Sequence, residues 1–134
     1  TIWSQQAYLK ASNTTANGFF AIALKLSGDG NILGVGASGE SSGAQGINGS
    51  QSDTAGQGSG AAYVFVRSGT TWAQQAYVKA SNTETGDGFG SVLGLSTDGG
   101  TLAIGAPFEK SSATGISGNR LDNSFVRAGA VYLF

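Results

Sequence analysis

Four acidic residues stand in the two longest polar stretches of the sequence. Glu40 and Asp53 lie within 38–59, and Glu109 and Asp122 within 107–128. Asn48 accompanies the first pair. Asn119, Arg120, Asn123 and Phe125 accompany the second. Carboxylates beside amide and main-chain oxygens are the donor set of a hard cation such as calcium, which takes about six to eight oxygens. Asp53 and Asp122 are the metal candidates on that reading. Asn, Asp and Arg with an aromatic ring are also the groups that hydrogen-bond and stack on a sugar. The ligand-binding candidates are then Asn48, Asp53, Asn119, Arg120, Asp122 and Asn123. A third reading needs no ligand: Asp53 and Asp122 cap turns through their own backbone, as Asx residues commonly do. That reading carries the most weight.

Catalysis has little to draw on. The chain has no His and no Cys, so the commonest general base and the thiol nucleophile are missing. None of the four loop acids sits in a recognisable catalytic context. No enzymatic activity is expected, and no cofactor beyond the calcium the loops would take. Only 11% of residues are charged and the net charge is −1, which gives no electrostatic case for nucleic acid or an anionic membrane. No apolar run is long enough to span a bilayer. Met is absent too, so the sequence reads as a mature form or a piece of a longer chain. Two glycosylation sequons, Asn13-Thr14-Thr15 and Asn48-Gly49-Ser50, matter only where the source glycosylates.

The elements that position the loops repeat. Trp3 and Trp72 stand 69 residues apart (72 − 3), and the offset holds without a gap from Thr1/Thr70 to Phe65/Phe134. "WSQQAYLKASNT" returns as "WAQQAYVKASNT", and "GAAYVF" as "GAVYLF". A gapless repeat signals one supersecondary unit stacked on its copy. The units are 1–69 and 70–134. With 40% hydrophobic residues and 23 glycines, each reads as short strands and turns, with no convincing helical period. Asp-Gly at 29–30 and 98–99 marks hairpin turns. The alternation in 72–81 puts Trp72, Gln74, Ala76, Val78 and Ala80 on one side and Gln75, Tyr77 and Lys79 on the other. Lys10 and Lys79 are expected on a solvated strand edge, the two Trp in packing, and Ile47 and Ile116 as anchors of the long loops. Several strands are small or apolar on both faces, as in sheets stacked between sheets. Four-stranded sheets packed face to face around an axis make a β-propeller.

Phe89-Gly90 followed by Gly105-Ala106-Pro107 resembles the FG-GAP repeat, the blade unit of the integrin alpha-chain propeller and of many bacterial secreted proteins. The flanking "WAQQAYVKASNT" and the loop "SSATGISGNRLDNS" resemble the bacterial versions. The first copy departs from the pattern, with Phe20-Ala21 and Gly36-Ala37-Ser38. The resemblance implies an all-β fold of propeller blades and an extracellular or cell-surface setting in adhesion. Integrin-type blades often carry a calcium loop, but "SGDGN" and "STDGG" each offer one carboxylate in a tight turn, a poor calcium site.

Labelled A to D from the axis outward, the strands expected along the chain are D (3–12), ABC (20–27, 32–37, 60–67), D (72–81) and ABC (89–96, 101–106, 129–134). The last C strand then has an unpaired edge, and 3–12 is a spare D strand. The expectation is strand exchange between copies, with Trp3, Ala7 and Leu9 of one chain against Ala130, Tyr132 and Phe134 of another. A ring or a fibre would follow. The leading functional reading is a non-enzymatic extracellular structural or adhesive module whose main partner is itself. The alternatives are a lectin-like carbohydrate-binding ring and a fragment of a larger integrin-like propeller.

Overall fold

The computed structural model describes residues 2–134. Its described residues form two antiparallel sheets and no helix. The first sheet holds β1 (Phe20–Leu26), β2 (Ile32–Ala37), β3 (Ala61–Ser68) and β4 (Thr71–Val78), in that order. The second holds β5 (Val92–Leu95), β6 (Leu102–Ala106) and β7 (Ala130–Leu133). The all-β class and the A-B-C-D and A-B-C strand orders expected from the repeat are both present.

The turns follow from their residues. In the β1–β2 hairpin, Asp29 Oδ1 accepts bonds from Ser27 Oγ at 2.6 Å and Asn31 N at 3.0 Å. Asp98 does the same for Ser96 and Gly100 between β5 and β6. These bonds, the one from Ser27 foremost, hold the Asp29 carboxyl down at about 2. Asp-Gly here is turn chemistry, and the carboxylate is already saturated with donors from its own loop.

The expected strand at 3–12 is not formed. Residues 2–8 are exposed and unpaired by any ladder. The cause is topological. β4 already fills the outer position of the first sheet that a segment of this text would take, and a strand without a neighbour has no partner for its backbone groups. Leu9 and Ala11 still pack against the first sheet.

A second correction concerns the faces of β4. Val64 pairs with Ala76 but Phe65 pairs with Gln74, so Gln75 is an extra residue, a β-bulge. A bulge flips the alternation beyond it. Trp72 therefore joins Tyr77 on one face, while Ala76 and Val78 lie on the other. The straight alternation expected over 72–81 ends at the bulge.

The two sheets stack. Ala62, Val64, Ala76 and Ala23 of the first meet Leu93, Leu95, Leu102, Ile104 and Tyr132 of the second, with Phe89 between them. The opposite face of the first sheet gathers Val35, Ala37, Tyr63, Phe65 and Tyr77. The glycine motifs explain how the stack closes. A Cβ at Gly36 would overlap the carbonyl oxygen of Gly90, and one at Gly90 would overlap that of Ala61. Gly90 also has φ +87°. The Phe-Gly element of one copy thus abuts the Gly-Ala element of the other, backbone against backbone, where only glycine fits.

Candidate functional site

Each long loop is built around a buried glutamate. Glu40, at 3% exposure, follows β2 and sits under the first loop. Its Oε1 accepts bonds from Asn13 Nδ2 at 2.8 Å and Ser42 N at 3.0 Å. Its Oε2 lies 2.7 Å from the Lys79 ammonium. Lys79 Nζ also donates to the Ser42 carbonyl at 2.9 Å and to Ser59 Oγ at 2.7 Å. Three acceptors satisfy the three N–H groups of an ammonium. Tyr77 OH shares a bond of 2.6 Å with Ser42 Oγ, and Tyr63 OH donates to Asn13 Oδ1. Burial drives the Glu40 carboxyl upward, but the Lys79 hydrogen bond and charge, with the Ser42 amide, outweigh it and hold the group below its ordinary value.

Lys79 is fully buried, which corrects the expectation of a solvated edge. The residues at the end of β4 and just beyond it alternate. Tyr77 and Lys79 turn into the first sheet and its loop, whereas Val78, Ala80 and Asn82 turn into the second. The segment 77–82 is therefore a clasp between the two units. Asn82 Nδ2 donates to Glu109 Oε1 at 3.1 Å, and Tyr132 OH donates to Asn82 Oδ1 at 2.6 Å. Asn13, Glu40 and Tyr63 make the same three-way contact one repeat earlier. Desolvation, with Glu109 nearby, pushes the Tyr132 hydroxyl up to about 12, so it stays a donor.

The first loop also covers an edge. Gly46 and Asn48 exchange backbone bonds with Lys79, Ala80 and Tyr77, and Asn48 Oδ1 accepts from Tyr77 N at 2.9 Å. Ile47 lies between them, 58% exposed, and Ile116 is 98% exposed. The isoleucines thus do not anchor the loops. The buried glutamates and the main chain do.

The other sequence candidates are placed as follows. Asp53 Oδ1 accepts from Gly43 N at 2.7 Å and Ala55 N at 3.0 Å, and Asp122 binds Ser112 and Ser124. These donors lower both carboxyls. Asn119 Oδ1 closes a turn on Leu121 N, and Asn123 Nδ2 donates to Glu84 Oε1 at 2.8 Å. Arg120 holds Asn82 through its carbonyl oxygen. Phe125 is 60% exposed. Among the described residues, no cluster of three or more acidic side chains is arranged to hold a metal ion. Of the assembly candidates, Trp3 is 91% exposed, Leu9 packs on the first sheet, and Tyr132 is half-buried with its ring edge-on to Phe89.

The clasp was readable in part. In a chain with so few charges, Lys and Glu recur at fixed places, and Asn13/Glu40 and Asn82/Glu109 share one spacing. Such pairing of rare charges was the available signal. Nothing local marks that a lysine on an alternating strand will be enclosed by a loop from an earlier strand.

The chain matches no curated protein and no solved structure. Residues 72–134 match the family model of the FG-GAP repeat. They span β4 to β7 and include both the Phe89-Gly90 element and the Gly105-Ala106-Pro107 element whose counterparts meet across the stack. This part of the chain is similar to an FG-GAP repeat.

Proposed function

We propose that the protein is a non-enzymatic structural or adhesive module of the extracellular space or cell surface, and that it works by stacking propeller-type blades head to tail through strand completion. The observation that carries this reading is a pair of apolar faces. Inside the chain, Leu93 of the second unit is buried against Ala62, Val64 and Ala23 of the first. One repeat away, the corresponding residues are bare. Leu24 and Leu26 are each 55% exposed on the first unit, and Val92, Val131 and Leu133 are 63%, 70% and 71% exposed on the second. Val92 and Val131 of the second set line an open apolar groove of about 610 Å³ with Ala103 and Gly105. Contiguous exposed apolar surface of this kind marks an interaction site.

The two faces match by the same correspondence that relates the stacked units, so a second copy supplies the partner of each. Its residues 3–12 would then extend the second sheet beyond β7. The β3–β4 register, with Tyr63 opposite Tyr77 and Val64 opposite Ala76, translates to Tyr132 opposite Tyr8 and Leu133 opposite Ala7. Such a contact is heterologous, giving a ring when it closes and a fibre when it does not. The FG-GAP repeat and the low charge support an extracellular role. Carbohydrate binding would draw on Arg120 and Phe125, which have no counterpart in the first copy, so it would offer one site per chain.

Hydrogen exchange at β7 tests the reading. Phe134 and Leu102 bond each other, so by antiparallel alternation the amides of Val131 and Leu133 point away from β6. Their protection should rise with protein concentration and vanish when residues 2–12 are removed. Exchange independent of concentration would refute strand completion between copies and favour a blade pair completed within a longer propeller.

A further inference from the structure

The second unit carries a lysine socket with no lysine in it. Glu109 is 2% exposed, and Asn82 Nδ2 and the Ser111 amide and hydroxyl bind it at 3.0–3.1 Å. These are the groups that surround Glu40. What Glu40 has in addition is the Lys79 ammonium at 2.7 Å. Among the described residues, Glu109 has no ion-pair partner. Lys110, its neighbour, is turned to Asp87 at 3.0 Å and to Glu84. A buried carboxylate without a counter-charge is costly, and only part of the cost is met by neutral donors.

The loop around Glu109 already has the shape that receives a clasp. Gly46 and Asn48, which bond the strand carrying Lys79, have φ of +69° and +55°. Gly115 and Ser117, their counterparts, have +74° and +57°, although among the described residues no strand lies against them. At the other end of the chain stands the missing piece. Lys10 is the repeat counterpart of Lys79, exposed and in no ion pair among the described residues. Tyr8, the counterpart of the buried Tyr77, is 79% exposed. Their neighbours Leu9, Ala11 and Asn13 are already docked on the first unit, as Val78, Ala80 and Asn82 are on the second. Half of the segment is bound, and the other half faces outward.

We propose that Lys10 of one copy enters the Glu109 socket of another, with Tyr8 reaching Ser111, and that this ion pair fixes the register of the head-to-tail contact. The inference rests on the strand-completion reading and names its specificity device. The socket would offer the lysine the Glu109 carboxylate and the Ser111 carbonyl. Ala128 replaces the third acceptor, Ser59. Only the matched register supplies the counter-charge that the buried Glu109 lacks, and a slipped strand leaves it unpaired, so the pair discriminates against slipped pairings that the apolar faces alone tolerate.

The test is a charge cycle read by sedimentation of the full chain over a dilution series. Lys10 is exposed and has no ion-pair partner among the described residues of its own chain, so at dilutions where both chains are monomeric the thermal melting of Lys10→Gln should equal that of the wild type. Its self-association should weaken by about 30-fold or more, the scale for truncating one partner of a buried charge pair. Lys10→Glu should weaken it further, and Lys10→Glu with Glu109→Lys should recover association. If the wild type associates and Lys10→Gln associates equally well, the socket inference is wrong and strand completion stands. If the wild type never associates, both fail. Should the Glu109→Lys chain misfold, the Lys10→Gln and Lys10→Glu comparisons decide alone.

Discussion

Lys79 and Glu40 form a buried ion pair at 2.7 Å across 39 residues of sequence. The lysine directly follows the strand that pairs with β3, and the glutamate lies in the loop that follows β2. The pair therefore ties the outer edge of the first sheet to the loop that covers it. Removing one partner leaves the other charged and enclosed. Lys79→Met should lower unfolding stability by about 3 kcal/mol, and adding Glu40→Gln should return part of that loss. Urea unfolding of the two variants checks the difference. Equal losses would mean that packing, not charge, dominates.

The same pair sets an acid limit. Glu40 is held below its ordinary value of 4.5 in the folded chain, so the folded state binds fewer protons there than the unfolded one. Its contribution is complete above the unfolded value and is lost as pH falls through 4.5 toward the folded one. Asp53 and Asp122, lowered by their own loop donors, act in the same direction. Asp87, raised chiefly by burial, opposes them. Stability should be flat near neutrality and fall below pH 4.5, and in Glu40→Gln the fall should be shallower. Chemical denaturation at a series of pH values measures both slopes.

Gly36 and Gly90 allow the sheets to touch by backbone. Gly36→Ala would drive a methyl group into the Gly90 carbonyl, with no flexible side chain able to yield. A loss of about 2 kcal/mol is expected, as for overpacked cores. Gly105, the counterpart of Gly36, meets only Val92 at 3.4 Å. Gly105→Ala should cost the single chain far less, and its effect should appear in self-association instead.

Ala21 stands where the second copy has Gly90, and it holds φ +74°. An L-residue in that region carries about 1 kcal/mol of strain. Ala21→Gly should raise stability by up to that amount, offset in part by the greater freedom of glycine in the unfolded chain. It should also tighten head-to-tail contact, because a Cβ at the equivalent position of the intrachain stack overlaps a carbonyl oxygen. Melting and sedimentation of one variant read the two effects separately.

Much of the fold was legible because strand periodicity and Asp-Gly turns are local signals. The gapless repeat gave the sheet order, and the Phe-Gly and Gly-Ala elements marked the stack. Three features were not legible. The bulge at Gln75 depends on register with β3, which no property of 72–81 announces. Segment 3–12 has strand text but no open neighbour in its own chain. Lys79 looked solvent-facing because alternation assigns a side but not what covers it, and its cover comes from Ser42 and Ser59 in a loop well upstream. Asp53 and Asp122, by contrast, behave as Asx residues do in turns, binding the amides two residues on.

The central claim is head-to-tail assembly through the exposed faces of the two units, and the native mass of the purified chain tests it most directly. One chain weighs 13.4 kDa. Analytical ultracentrifugation up to about 100 µM, where any contact tighter than that Kd is populated, should find multiples of this mass. Leu133→Asp, which places a charge on an exposed position of β7 without entering the core, should return the chain to a single 13.4 kDa species with its spectrum unchanged. A wild-type chain that remains a single 13.4 kDa species over the whole range would contradict the account.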